Sequence, residues 1–263
     1  TGDDEYIYTG TYSNYSAYSS SGMFIGKSIG QSVKYIENYN FLNLTNFLNH
    51  LKERKVKKIE RKKKRKKKKG KELSYNYNIA CHDIIRKGDK YIFIGEAYYP
   101  TYYTRTYTTT ETTNGVSRTV THTERIFDGY QYTHAMLSKF DKSGNIVWDQ
   151  VFELWSAHKP FYVKRFISIA GQNQNSIKLA FSTRNVITTK SFDFNGKVLS
   201  DSKEEAIETS LDGDKTKRSS ANIQFWYENY FIAYGLQKIK NTENKVDSKR
   251  KRIVYYINKI KFE

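Results

Sequence analysis

The sequence predicts an all-β protein of about four repeated antiparallel units, with one inserted basic helix and one long threonine-rich β-hairpin. Three observations carry that expectation. First, an apolar, aromatic-rich strand followed by a returning strand that ends in lysine occurs four times. The outgoing halves are Tyr6-Ile7-Tyr8-Thr9-Gly10, Tyr91-Ile92-Phe93-Ile94-Gly95, Ile177-Lys178-Leu179-Ala180-Phe181 and Tyr230-Phe231-Ile232-Ala233-Tyr234-Gly235. The returning halves are Phe24-Ile25-Gly26-Lys27, Met136-Leu137-Ser138-Lys139, Val186-Ile187-Thr188-Thr189-Lys190 and Tyr256-Ile257-Asn258-Lys259. Second, the chain holds 23 Tyr, 15 Phe and 3 Trp against 2 Pro, a balance that suits pleated, half-buried surfaces. Third, helical spacing of apolar residues occurs in a single stretch. A repeated unit cannot bury its own apolar face, so the units must stack on one another.

Taken in order, residues 1–42 read as the first unit, two or three strands with a Ser/Tyr-rich loop from Asn14 to Ser21. Residues 43–74 form the insertion. Asn43 or Thr45 can cap a helix running to about Lys69, and Leu44, Phe47, Leu48 and Leu51 repeat at helical spacing. Beyond Val56 and Ile59 the apolar stripe ends, so the expectation is a docked first half and a fraying, solvated second half that stops at Gly70. Residues 75–160 form the second unit, 161–220 the third and 221–263 the last. Each of these later units has a leading strand: Tyr75–Ile85, Phe161–Ala170 and Asn222–Tyr227.

The sharpest internal match sets Phe140-Asp141-Lys142-Ser143-Gly144-Asn145-Ile146-Val147-Trp148-Asp149 against Phe192-Asp193-Phe194-Asn195-Gly196-Lys197-Val198-Leu199-Ser200-Asp201. The Asp-x-x-Gly centre is a tight hairpin turn in which Gly supplies a positive φ. In these phrases the chain resembles bacterial β-propeller repeat proteins built from K-F-D-x-x-G-x-x-x-W-D hairpins. The resemblance covers most of residues 1–42 and 75–263, and it implies propeller-like blades. It implies no activity, because such folds serve as enzymes and as binding scaffolds alike. The first unit lacks a leading strand, and the last ends soon after its return. Four units make an unusually small ring. The expectation is therefore the C-terminal part of a larger propeller, with terminal strands completing one blade as the alternative. Association with such repeats also points to export, to a periplasm or cell surface, in a bacterium.

The second unit contains Asn114-Gly115, the strongest two-residue hairpin signal. That turn sets Arg105 opposite Glu124, Glu111 opposite Arg118, Tyr107 opposite His122, Tyr103 opposite Ile126 and Tyr102 opposite Phe127, within a hairpin spanning 102–127. One face then carries Thr104, Thr106, Thr108, Thr110 and Thr112 against Thr123, Thr121, Thr119 and Ser117. This face reads either as a soluble projecting ribbon or as a recognition arm that adds to a partner's sheet or touches a glycan.

Charge is concentrated in the insertion. From Lys52 to Lys71 there are fifteen Lys/Arg against Glu53 and Glu60, so +13 of the formal +18 lies in twenty residues. Such a run reads as a solvated face, as attachment to lipid headgroups or nucleic acid, or as a nuclear-targeting signal. Phe, Tyr and Trp are absent from it, so base stacking is not expected. No apolar run approaches the ~20 residues that span a bilayer as a helix.

Little chemistry is legible. Cys81-His82-Asp83 lists nucleophile, base and acid, but consecutive strand residues point to opposite faces. His50, His82, His122, His134 and His158 show no metal-ligand spacing, and the Asp141–Asn145 loop lacks a full calcium ladder. No metal or cofactor is expected. The leading expectation is a non-catalytic scaffold that meets a protein partner or an anionic surface through Lys62, Lys63, Lys64, Arg65, Lys66, Lys67, Lys68 and Lys69 and through Thr106, Thr108, Thr110, Thr119 and Thr121. The alternative is a hydrolase acting on a polymer at the propeller channel, with Glu96, Asp128 and Glu228 as candidate carboxylates.

Overall fold

Sixteen regular elements and two short 3₁₀ turns build the chain in this computed structural model, which describes residues 4–14, 19–156, 158–170, 176–183, 186–207, 209, 211–241, 243 and 250–261. Residues 15–18 of the Ser/Tyr-rich loop lie outside them. The protein is mostly β-sheet, in four antiparallel sheets that follow one another along the chain. The first has the order β1 (Glu5–Tyr12), β2 (Gly22–Ile29), β3 (Ser32–Asn40). Next comes the helix α1 (Glu53–Lys67). The second sheet runs β4 (Asn78–Cys81), β6 (Lys90–Thr113), β7 (Val116–Phe140), β8 (Ile146–Glu153), with β5 (Ile85–Lys87) also paired to β6. The third is β9 (Ser168–Ala170), β10 (Ser176–Thr183), β11 (Val186–Asp193), β12 (Val198–Ala206), and the fourth is β13 (Lys215–Tyr227), β14 (Tyr230–Lys240), β15 (Lys251–Lys261). The recurring phrases form one adjacent antiparallel pair in every sheet: β1–β2, β6–β7, β10–β11 and β14–β15. As the sequence predicts, no leading strand pairs with β1 among the described residues.

Consecutive sheets share their cores. Met23 and Ile25 of the first sheet are buried with Tyr91, Phe93, Met136 and Phe140 of the second. The opposite face of the second, Ile92, Ile94 and Leu137, packs on Ile177, Leu179, Phe181 and Phe192 of the third. The third turns Ala170, Ala180 and Ile187 to Phe231, Ala233 and Tyr256 of the fourth. Alternation along each strand makes this two-sided stacking work, because neighbouring residues face opposite sheets. Each fully buried Ile, Leu or Phe contributes about 1.5–3 kcal/mol relative to exposure.

The two Asp-x-x-Gly turns are the same structure. The amides of Ser143 and Asn145 donate to Asp141 Oδ1 at 2.8 and 2.9 Å, and those of Asn195 and Lys197 donate to Asp193 Oδ1, both at 2.8 Å. Gly144 and Gly196 sit at φ +86° and +85°. Each turn also leans on the sheet before it. Tyr39 and Tyr35 of β3 donate their hydroxyls to Gly144 O (2.8 Å) and Lys142 O (3.2 Å). Trp148 and Gln150 of β8 donate to Phe194 O (3.1 Å) and Gly196 O (2.9 Å), and the buried Lys139 ammonium also reaches Phe194 O. Register makes Tyr35 the counterpart of Trp148: Tyr35 pairs with Lys27 of its returning strand, Trp148 with Lys139.

Three expectations need correction. The helix does not start at Asn43. Residues 41–51 form two 3₁₀ turns, Phe41–Asn43 and Phe47–His50, and the α-helix begins only at Glu53. The cause is Asp149 of β8, whose carboxylate accepts the Thr45 amide (2.9 Å) and the Asn46 amide (2.7 Å), tying this stretch to the second sheet. Asn40, rather than Asn43 or Thr45, caps the first turn by accepting from Leu42 N at 3.0 Å. The basic half, expected to fray, is the helix itself. It ends as predicted at Gly70 (φ +64°), where the amides of Lys71 and Gly70 donate to the carbonyls of Lys66 and Lys67, both at 3.0 Å.

The leading strands of the second and third sheets are also shorter than predicted. Tyr75–Ile85 is interrupted at residues 82–84, and of Phe161–Ala170 only Ser168–Ala170 is strand. Buried amides must be paired somewhere. Here those of Phe166 and Ile167 go to the Glu96 carboxylate, and that of Lys164 goes to the Tyr132 hydroxyl. The leading strand of the fourth sheet is longer than predicted, Lys215–Tyr227.

Candidate functional site

The insertion presents charge on a rigid support. One stripe of α1 docks: Ile59 is buried, Val56 packs beside it on the core shared by the first two sheets, and Lys63 Nζ donates to Leu42 O at 2.6 Å. Lys63 is thus half-buried and held, whereas Lys62, Lys64, Arg65, Lys66, Lys67, Lys68 and Lys69 are exposed. Arg54, Lys57, Lys58, Arg61, Lys62 and Arg65 recur at i, i+3, i+4, i+7, i+8 and i+11, which is one face of a helix. They line a single open groove along it together with Glu53, which pairs with Lys57 at 2.5 Å. Cationic side chains in the last turn, Lys64 to Lys67, lie where the helix dipole is negative, which offsets part of their mutual repulsion.

The hairpin has the predicted register at every pair, from Tyr102↔Phe127 and Tyr103↔Ile126 through Arg105↔Glu124, Tyr107↔His122 and Glu111↔Arg118. Asn114 (φ +52°) and Gly115 (φ +78°) form its turn, as a type I′ connection requires. Arg118 and Glu111 form an ion pair at 3.0 Å. Glu124 instead accepts from the Tyr107 hydroxyl at 2.9 Å, with the Arg105 guanidinium 5.5 Å above the Tyr107 ring. Thr106, Thr108 and Thr110 lie opposite Thr123, Thr121 and Thr119, all exposed, and Thr112 meets Ser117 at 2.9 Å. At the base, Arg125 covers the Tyr102 ring at 4.1 Å and Phe127 meets Phe161 edge-on.

Of the candidate carboxylates, Glu96 and Asp128 have structural partners. Glu96 is fully buried, accepts the amides of Phe166 and Ile167, and meets His82 Nε2 at 2.5 Å. It is a clamp between the second and third sheets. Asp83 forms a two-pronged pair with Arg165 (3.1 and 3.2 Å), which holds its carboxyl below the usual range, and Asp128 pairs with Lys159 at 2.6 Å. Glu228 occupies the β13–β14 turn at φ +47°. Cys81 is partly buried against the core between the first two sheets, and burial pushes its thiol pKa up, so it is a poor nucleophile. Asp141, the first residue of the calcium-like loop, spends its carboxylate on Ser143 and Asn145. Among the described residues, no group of three or more His, Cys, Asp or Glu is placed to hold a metal ion, and no helix is long and apolar enough to cross a membrane.

Sequence reasoning missed a stacked histidine pair. His50 lies flat on His134, with centroids 3.6 Å apart and planes 14° apart, and Phe47 and Tyr77 meet His134 edge-on. His134 Nδ1 meets the Thr133 hydroxyl at 2.9 Å, while its Nε2 is buried with no hydrogen-bond partner. Burial, and secondarily His50, holds the His134 pKa well below the ordinary value; burial also lowers that of His50 and lifts Tyr77 to about 12. No signal in the sequence could have paired residues 84 positions apart.

These features define an all-β protein of stacked antiparallel sheets with two projecting appendages. Comparison with protein-family models, with curated proteins and with solved structures finds no match for the chain.

Proposed function

We propose that the protein is a non-catalytic scaffold whose four sheets are propeller-like blades, and that it holds an anionic macromolecular partner on the outer face of α1. The observation that carries this reading is the division of α1 into a docked stripe (Val56, Ile59, Lys63) and an exposed basic one (Arg54, Lys57, Lys58, Arg61, Lys62, Arg65). A merely solvated charge run needs no anchor. An anchored run keeps its cations in register, so the partner loses less freedom on binding. Each basic residue near an anionic surface contributes about 1 kcal/mol, so a handful acting together suffices for stable attachment. The ribbon is the second appendage. Its hydroxyl face offers a protein partner hydrogen bonds and free strand edges. Two of the three candidate carboxylates favour the scaffold over the hydrolase, since Glu96 and Asp128 bond to structural partners.

The test is co-sedimentation with phosphatidylserine-containing and all-phosphatidylcholine vesicles, run beside a duplex-DNA titration. The expected result is binding to an anionic probe that falls steeply with salt and is lost in a Lys58→Glu, Arg61→Glu, Lys62→Glu, Arg65→Glu variant of unchanged fold. Full binding by that variant would overturn the reading.

A further inference from the structure

From Tyr102 to Thr113 the outer edge of β6 has no strand paired to it among the described residues. β5 and β4 cover that edge only as far as Tyr98. The register shifts of the β6–β7 ladder lie at Ala97/Tyr98 and Thr101/Tyr102, so the stretch beyond is regular, and all of it is exposed. Such an edge is ordinarily guarded by lysine, proline or a bulge. Residues 102–127 contain neither lysine nor proline. An antiparallel ladder alternates inward and outward bonding, here counted from the pair Thr113↔Val116 that closes the two-residue turn. Arg105, Tyr107, Thr109, Glu111 and Thr113 therefore bond to β7. Thr104, Thr106, Thr108, Thr110 and Thr112 turn their amides and carbonyls to the open side.

The charges along this edge complement their own image. Arg105 and Glu111 share one face of β6, with Thr108 midway between them. A second ribbon turned antiparallel about Thr108 sets Arg105 of each copy opposite Glu111 of the other, and Tyr103–Thr113 overlaps along its whole length. Matching of faces permits only registers two residues apart. The neighbouring ones put Arg105 opposite Thr109 or Thr113, and a further slip puts it opposite itself. Opposite charges stabilise a cross-strand pair and like charges destabilise it, so one register is selected. Arg105 is available, since its guanidinium lies over Tyr107 and forms no ion pair among the described residues. Glu111 meets Arg118 through Oε2. Pairing completes a row of Glu124, Arg105, Glu111 and Arg118 with alternating sign across four strands. The β7 edge is less open at its base, where Tyr130 N bonds to Pro160 O and Phe161 packs on Phe127.

We propose that two copies of this chain pair their ribbons through the β6 edges, antiparallel about Thr108, into one four-stranded sheet. The outward threonines of one copy bond the same threonines of the other. The contact joins a patch to itself, so it closes at a dimer. This inference rests on the ribbon as a protein-binding appendage and is independent of α1: a monomer that still binds anionic vesicles overturns it alone.

Sedimentation velocity of the full chain from about 1 to about 100 µM brackets micromolar self-association. The wild-type protein should pass from monomer to dimer and grow no further. Arg105→Glu and Glu111→Arg should each weaken the dimer at least about tenfold, because like charges then meet in both rows. Mixed in equal amounts they should dimerise, since one edge is acidic at both positions and the other basic at both. A wild-type monomer throughout, growth beyond a dimer, a variant with wild-type affinity or a monomeric mixture of folded variants overturns the proposal. Thr108→Cys in a Cys81→Ser background leaves the charges untouched, should either reversal distort the ribbon. Self-paired Cα atoms stand about 5.5 Å apart, within disulfide reach. Mild oxidation should therefore join two copies at 108 but not in the matching Thr121→Cys protein on the other edge. No cross-link at 108, or equal cross-linking at both positions, overturns it too.

Discussion

Glu96 looks in the sequence like a catalytic candidate, a carboxylate next to a strand-ending glycine, and the structure makes it a fastener. Its oxygens serve two amides of the chain entering the third sheet and one imidazole, all out of water. Replacing it with Gln leaves one acceptor for several donors, and we expect a loss of about 2–3 kcal/mol in urea unfolding, since hydrogen bonds to charged groups are worth about 1.5–3 kcal/mol. The turn glycines are equally specific. Gly196→Ala places a methyl against the Trp148 ring at φ +85°, so it should cost more than about 1 kcal/mol by the same measurement, whereas Gly30→Ala meets only open space and should cost less. The histidine stack adds a pH dependence of definite sign. His134 and His50 have pKa values below that of the unfolded chain, so the unfolded state takes up more protons as pH drops. Their neutral stacking is therefore fully stabilising above about pH 6.5 and is lost progressively as pH falls toward their folded values. The groups around them are Tyr77, Thr133, Phe47, the cross-strand Glu153 and Lys55. The urea midpoint should fall between pH 7.5 and 5.5, and His134→Phe should flatten that fall. The sequence shows these residue types but not their partners, which come from distant strands.

At the scale of elements, legibility followed locality. The ribbon register could be read because one turn, Asn114-Gly115, fixes every pair beyond it, and the Asp-x-x-Gly turns could be read because Asp and Gly act within five residues. The helix was placed only in part. Its stop at Gly70 is local chemistry, while its start depends on Asp149, about a hundred residues away. Tyr35 is hard to recognise as the counterpart of Trp148 because its own turn has no Asp; the lysine opposite each, Lys27 and Lys139, is the available signal. Two tests belong here. Replacing residues 104–125 by a short Asn-Gly turn should leave stability within about 0.5 kcal/mol, since the ribbon is exposed and packs on nothing beyond its base. Ile59→Asp should release α1 from the core and speed amide exchange across 53–67 without unfolding the sheets.

For the whole molecule, the three sheet-to-sheet interfaces are unequal. The first two are filled by Phe, Tyr, Ile, Leu and Met, whereas the third relies on Ala170, Ala180, Ala221 and Ala233 around a smaller set of large residues. Stability of a stacked array is close to a sum of unit and neighbour terms, so the fourth sheet should open first. Hydrogen exchange should find β13–β15 less protected than the bases of β6 and β7. Several side-chain hydrogen bonds joining neighbouring sheets also run forward along the chain. Side chains of an earlier sheet, Tyr39, Trp148, Gln150, Glu96 and Ser168, bond to backbone of a later one at residues 144, 194, 196, 166 and 225. During synthesis, the earlier strands leave the ribosome first. Each new meander thus finds a template waiting, and the nascent sheets can be built as a wall is laid, course upon course, while residues 45 and 46 wait for Asp149 to emerge.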